Sequence, residues 1–218
     1  MQRDQPFESV SSPSSDQYDF TVDWFSQQSG SWAGLLSWIA PKRILEIGSY
    51  EGRSTTFLIE SCSSNRPIEI VCIDTWEGSF EHAKGAMSEV EHRFDRNVAL
   101  ARLRARNDVL VRKLKKLSVR ALADLISQEE APFDLTYVDG SHQATDVLQD
   151  AILGFQLLRV GGLLIFDDYL WRLEPDGQQN PFNMPKPAID AFVNIFQQKL
   201  RVLDGLPNWQ LYAVKTSA

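Results

Sequence analysis

Three acidic positions and one histidine in the second half of the chain carry the most chemistry. Asp139 follows the apolar run Leu135 to Val138, and Asp167 and Asp168 follow Leu163 to Phe166. If those runs are neighbouring strands, three carboxylates meet at one sheet edge, an arrangement that is costly unless something neutralises it. A hard divalent cation such as Mg²⁺, keeping several waters, would do so and would lower the pKa of a bound substrate hydroxyl. The alternative is that Asp139 and Asp168 cap helices or turns while Asp167 is partly solvated, with no ion. His142 lies three residues past Asp139. Its imidazole, with an ordinary pKa near about 6.5, is an acceptor for a hydroxyl proton, and nearby carboxylates would raise that pKa. It serves equally well as a helix N-terminal histidine bonded to backbone or water. His82 is placed within reach of the same region, and His92 faces solvent.

The first half supplies a second constellation. An apolar run from Arg43 closes as Glu46-Ile47-Gly48-Ser49-Tyr50-Glu51-Gly52, where Gly48 and Gly52 allow a tight turn and a close approach to a ligand. The next run, Ile68 to Ile73, ends at Asp74, which at this distance from the glycines can accept hydrogen bonds from both hydroxyls of a ribose. The spacing is not G-x-G-x-x-G, and no G-x-x-x-x-G-K-[ST] occurs, so polyphosphate readings weaken. Glu46 would repel phosphate and suits a cationic, amino-acid-bearing ligand better. Trp76 is positioned either to stack on a flat heterocycle or to pack against its own domain.

The positioning elements alternate in type. After an aromatic, helix-leaning entrance from Tyr18 to Pro41 come a strand at 43–47, a helix at 54–62, a strand at 68–73, a helix-leaning stretch at 81–106 and a strand at 109–113. A helix at 119–126, a strand at 135–138 and a helix at 143–159 follow, the last ended by Gly161-Gly162 before a strand at 163–166. A loop with Pro and Gly leads to a final helix burying Ile189, Phe192, Val193, Phe196 and Leu200, then short strands at 201–203 and 209–214. Alternation of this kind requires an α/β fold with a mostly parallel sheet covered by helices on both faces. In such sheets ligands bind outside the carboxyl ends of the strands, where every residue named above falls.

The composition, 43% hydrophobic, 11% aromatic and 23% charged over 218 residues, is that of an ordinary water-soluble globular protein with enough core to fold without staples. Residues 1–16 read as a flexible polar tail, and 17–218 as one domain whose segment 17–41 is helical. A net charge of -7 argues against nucleic acid, and no apolar stretch is long enough for a membrane span or a signal h-region. Only Cys62 and Cys72 occur, read as two inert thiols of a reduced, cytoplasmic protein.

The segments RILEIGSYEGRST, IEIVCIDTWEGS, FDLTYVDGSH and LLRVGGLLIFDDY, spread from about Lys42 to Lys215, together resemble class I S-adenosylmethionine-dependent methyltransferases. Within them the chain is similar to the small-molecule O-methyltransferase branch of catechol-type and macrocin-type enzymes. The resemblance implies a Rossmann-like, seven-stranded methyltransferase fold. It implies that Glu46, Gly48 and Ser49, with Gly52, line the methionine end of the cofactor, that Asp74 holds the ribose, and that Trp76 and Ser118 lie near the adenine. It also places Asp139 beside the cofactor and makes Asp139, Asp167 and Asp168 the ligands of Mg²⁺ or a similar divalent cation. Catechol-type enzymes carry asparagine where this chain has Asp168, so that position follows the macrocin-type pattern. They carry a catalytic lysine where this chain has His142, which makes His142 the expected base.

The expected function is methyl transfer to a hydroxyl oxygen of a small molecule, with a non-catalytic cofactor-binding protein or a nicotinamide-dependent oxidoreductase as alternatives. Trp171 and Phe182, on the loop from Tyr169 to Pro187, are candidates for a lid over the acceptor. Trp24, Phe25, Trp32 and Trp38 are assigned to core or a dimer interface in preference to that lid.

Overall fold

The computed structural model describes residues 17–79 and 87–218. Helix α1 (Ser29–Ile39) follows a single 3-10 turn and precedes β1 (Arg43–Ile47), α2 (Arg53–Cys62) and β2 (Ile68–Asp74). Next come α3 (Val90–Arg104), β3 (Val109–Lys115), α4 (Ser118–Ser127), β4 (Phe133–Val138), α5 (Ala144–Leu157) and β5 (Leu158–Phe166). The chain closes with α6 (Pro185–Phe196), β6 (Leu200–Val202) and β7 (Leu211–Lys215).

The seven strands form one sheet in the order β3-β2-β1-β4-β5-β7-β6. The pairs among β1 to β5 are parallel, and β7 lies antiparallel between β5 and β6. This is the expected mostly parallel, doubly covered sheet. Side chains alternate across it: Ile44, Ile70, Leu135, Tyr137 and Ile165 face a core completed by Trp32, Leu58 and Phe94 from α1, α2 and α3. Leu45, Val71, Val138 and Phe166 face the other core, completed by Leu122, Phe155 and Phe192 from α4, α5 and α6.

Several boundaries differ from the sequence reading: the α-helix of segment 17–41 is confined to Ser29–Ile39, and two further differences lie around β5 and β6. Gly161 and Gly162 do not terminate α5; they lie inside β5, which begins at Leu158 directly after the helix. There the register against β4 shifts between Phe133 and Leu135, and Gly161 takes φ +77°, the irregularity that its missing side chain permits. Leu200 opens β6 and does not belong to α6.

The strand order reverses at β1 and β4, whose carboxyl ends therefore flank the switch point of the sheet. Among the described residues both cysteines are free, with Cys72 buried, and no helix is long and apolar enough to cross a membrane.

Candidate active site

The turn after β1 is built around an absent side chain. Gly48 adopts φ +84°, and a Cβ there would sit 1.9 Å from the carbonyl oxygen of Asp139. The ends of β1 and β4 thus touch backbone to backbone. Gly52 caps α2 at φ +81°, with the Phe94 ring 3.0 Å from where its Cβ would be. Asp74 ties the turn together: its Oδ2 accepts the amides of Ser49 and Tyr50, each at 2.9 Å, and its Oδ1 accepts that of Trp76 at 2.7 Å. A carboxylate oxygen with one bond keeps acceptor capacity, and Asp74 lines the cavity described below.

Glu46 does not line that cavity. It is fully buried beneath the turn, accepting the hydroxyls of Ser49 (2.6 Å), Ser54 (2.7 Å) and Thr55 (2.5 Å). Burial pushes its carboxyl above the ordinary value, and the three hydroxyls oppose that rise. Strand alternation explains the correction, because it aims Glu46 away from Ile47 toward the first turn of α2. The Ser49 side chain is drawn down with it, so Glu46 and Ser49 shape the turn from below while Gly48 and Tyr50 face the cavity.

Trp76 takes the second of the two roles open to it, packing against its own domain, and not the place near the adenine that the resemblance implies. With φ +54° its indole tucks under α3, 4% exposed, donating to the Tyr50 carbonyl at 2.9 Å and packing on Phe94 at 4.9 Å. The cavity wall there is Thr75, and across from it stand Leu117 and Ser118 at the start of α4.

Ser118 is held by Asp150, a residue that sequence reasoning did not single out. This α5 carboxylate is 1% exposed, one of its oxygens has no hydrogen-bond partner, and burial pushes its pKa up to about 7. The folded state therefore holds a proton that the unfolded chain releases near about pH 4. Its contribution to stability is greatest below that value and declines as pH rises toward 7. Asp150→Asn should consequently melt higher than the parent at pH 8, by roughly 2–4 kcal/mol in stability, with the gap closing toward pH 4. Thermal melts across that range check it.

Beside the Gly48 turn, at the ends of β4 and β5, the carboxylates of Asp139 and Asp167 share one partner, the buried Tyr137 hydroxyl, which lies 2.9 Å from Asp139 Oδ2 and in a short hydrogen bond with Asp167 Oδ2. Burial first, then the neighbouring acids, pushes Asp139 well above the carboxylate range, and the same causes push Asp167 up to about 6. Asp168, at φ +53°, turns its side chain to His142, with Oδ2 2.8 Å from Nε2. The His142 ring stacks on Trp171 at 4.0 Å. The three aspartates are therefore neighbours but are not drawn around one point, and no three His, Cys, Asp or Glu side chains among the described residues are gathered to hold a metal ion. Without a cation their repulsion is relieved by Tyr137 on one side and His142 on the other.

Tyr137 was not singled out from the sequence. Its only signal is the alternation that puts residues 137 and 139 on the same side of β4. His92 is exposed on α3, and His82 lies outside the described residues, as does the polar tail 1–16.

A single cavity of about 1090 Å³ joins these parts, running from Gly48, Asp74 and Ser118 to Asp139, Asp168, His142 and Trp171. Its outer wall comes from the N-terminal segment. Thr21 is anchored to Glu51 through both its amide and its hydroxyl at 2.7 Å, and Trp24 lies on Tyr50 at 5.2 Å. Trp32 is core, packed on Tyr137, and Trp38 and Phe182 do not line the cavity.

Fold and cavity together define a class, an α/β protein with a ligand crevice at the switch point of a parallel sheet. The chain belongs to the methyltransferase domain family, whose sequence pattern matches residues 45–169. Among solved structures it is similar to an O-methyltransferase from Bacillus cereus in complex with S-adenosylhomocysteine, at 19% identity and a TM-score of 0.59, covering 88% of this chain and 83% of that one. It is also similar to the O-methyltransferase TomG from Streptomyces achromogenes in complex with S-adenosylmethionine, at 18% identity and a TM-score of 0.61, covering 88% and 81%. A third is the MycE methyltransferase of mycinamycin biosynthesis in complex with Mg and S-adenosylhomocysteine, at 16% identity and a TM-score of 0.58, covering 90% of this chain and 51% of that one. At these identities the likeness is one of fold. No curated protein sequence matches.

Proposed function

We propose that the protein is an S-adenosylmethionine-dependent methyltransferase acting on a hydroxyl oxygen of a small molecule. One observation carries the reading: a single cavity connects the glycine turn and Asp74, suited to a nucleoside and its amino-acid arm, with the His142–Asp168 pair, suited to taking up a proton. The bound cofactor supplies an electrophilic methyl group. Residues of this chain align, shield and manage protons.

In this reading Gly48 lets the cofactor lie against backbone, Asp74 accepts from ribose hydroxyls, and Ser118 with the start of α4 borders the base. At the acceptor end, a proton taken up by His142 forms an imidazolium already facing the Asp168 carboxylate, so the new charge is compensated where it appears. The Trp171 face holds the ring in that orientation and limits access of water.

The donor set at the strand ends is all carboxylate oxygen, with two buried acids raised first by burial and then by neighbouring carboxylates, and this chemistry suits a hard divalent cation. Asp139 and Asp167 would hold it, joined by Asp168 only if that side chain turned away from His142. Such an ion would lower the pKa of an acceptor hydroxyl, which supplements the role of His142.

The test is transfer of labelled methyl from S-adenosylmethionine to hydroxylated acceptors by chelator-treated protein, with and without Mg²⁺. Asp139→Asn should keep cofactor affinity within about threefold while turnover falls by roughly 10²-fold or more. Full turnover in that variant would remove Asp139 and the cation from the chemistry. Label on nitrogen or carbon alone would overturn the choice of oxygen.

A further inference from the structure

The outer wall of the cavity includes a strap, residues 18–24, that belongs to no helix or strand. Side chains from the body of the domain tie its backbone down. Asn97 Oδ1 accepts the Asp19 amide at 2.7 Å, and Asn97 Nδ2 donates to the Asp19 carbonyl at 2.9 Å. Glu51 Oε2 accepts the Thr21 amide at 2.7 Å, and Arg53 Nε donates to the Val22 carbonyl at 3.2 Å. Phe20, Val22 and Trp24 of the strap line the cavity, where Trp24 lies on Tyr50.

The tie at Thr21 starts from the glycine turn itself. Glu51 precedes Gly52, and its buried carboxylate takes both donors of Thr21 and pairs with Arg93 at 3.3 Å. Asn97, fully buried on α3, also donates to the Glu51 carbonyl at 2.9 Å. Strap, turn and α3 therefore meet at one buried polar joint. Such a joint fixes geometry closely, yet its groups exchange their partners for water when it parts, which an apolar contact cannot do. At the N-terminal end of the strap Tyr18 is again held through polar groups, by Glu60 at 2.6 Å and under Arg104 at 4.7 Å. The anchor toward α1 differs in kind: Phe25 is buried in the core, packed on Trp32 and Phe57. A segment with side-chain ties along its length and an apolar anchor at one end opens locally by pivoting at that anchor.

We propose that Glu51 and Asn97 are positioning residues that latch this strap over the bound cofactor, and that the strap lifts, pivoting at Phe25, each time the cofactor enters or leaves. The inference rests on the methyltransferase reading for the identity of the occupant. A latch has a kinetic signature. Releasing it speeds entry and exit together, because both pass through the lifted state, whereas a damaged binding turn speeds exit alone.

Stopped-flow tryptophan fluorescence of the full chain with S-adenosylhomocysteine measures both rates. Two variants, each verified as folded by circular dichroism, release the latch from opposite sides: Glu51→Ala from the turn, and Thr21→Val from the strap with the turn left intact. Each should raise the association and the dissociation rate constants by about threefold or more, with Kd changing by less than either rate. In the parent, saturating S-adenosylhomocysteine should slow amide hydrogen exchange across residues 18–24 by about fivefold or more. Unchanged rate constants in Thr21→Val, acceleration of exit alone, or strap exchange indifferent to the ligand would overturn the proposal. Binding with unaltered rates strikes the latch alone, whereas a folded protein that binds no S-adenosylhomocysteine strikes the methyltransferase reading and the latch with it.

Discussion

Replacing His142 by alanine should lower turnover by roughly 10²- to 10⁴-fold, the usual contribution of a positioned acid or base, while the affinity for S-adenosylhomocysteine stays within about twofold. The separation follows from contacts: the His142 ring engages Asp168 and Trp171, whereas Asp74 holds the amides of Ser49, Tyr50 and Trp76. Asp168→Asn should cost less, about tenfold, because the imidazole remains but loses the charge that compensates its protonated form. Steady-state kinetics with a methyl-accepting phenol, paired with calorimetry of the product cofactor, checks both. Turnover within threefold of the parent for His142→Ala would assign the proton to another group.

The second large effect is expected at Gly48. An alanine Cβ there would lie 1.9 Å from the Asp139 carbonyl oxygen and 2.7 Å from the Gly140 Cα, all backbone atoms that no rotamer change can move. The ends of β1 and β4 would have to part, and φ +84° adds strain for any L side chain. Gly48→Ala should therefore lose about 3 kcal/mol or more of stability and at least 10²-fold in cofactor affinity. Gly177→Ala is the control. It has a similar φ of +80° but nothing within 4 Å of the new Cβ, so it should show about 1 kcal/mol of backbone strain and unchanged cofactor binding. Equal effects at the two positions, read by thermal melts and calorimetry, would mean that strain and not the strand contact makes Gly48 important.

The parts of this site legible in the sequence are those that sit where a strand stops. Asp74, Asp139 and Asp167 each mark the end of an apolar run, and Gly48 marks a reversal that only glycine makes easily, so type and place are read together. Residues that matter through what lies across from them were not legible. Tyr137 hides inside an apolar strand, and its role appears only when β5 brings Asp167 beside Asp139. The resemblance places Glu46 at the methionine end of the cofactor, yet alternation and the hydroxyls of α2 draw it below the turn. Trp76 follows Asp74 closely in sequence, but a left-handed backbone turns its ring into the core. Trp24 and Trp209 are separated by most of the chain, and no local pattern announces that they share a wall.

The most direct test is calorimetric titration of S-adenosylhomocysteine into the chelator-treated protein. The reading predicts one saturable site of micromolar or tighter affinity, weakened at least tenfold by Asp74→Ala, since that change removes both the ribose acceptor and the tie holding the amides of Ser49 and Tyr50. A folded protein that gives neither heat nor a thermal shift at millimolar S-adenosylhomocysteine would contradict it.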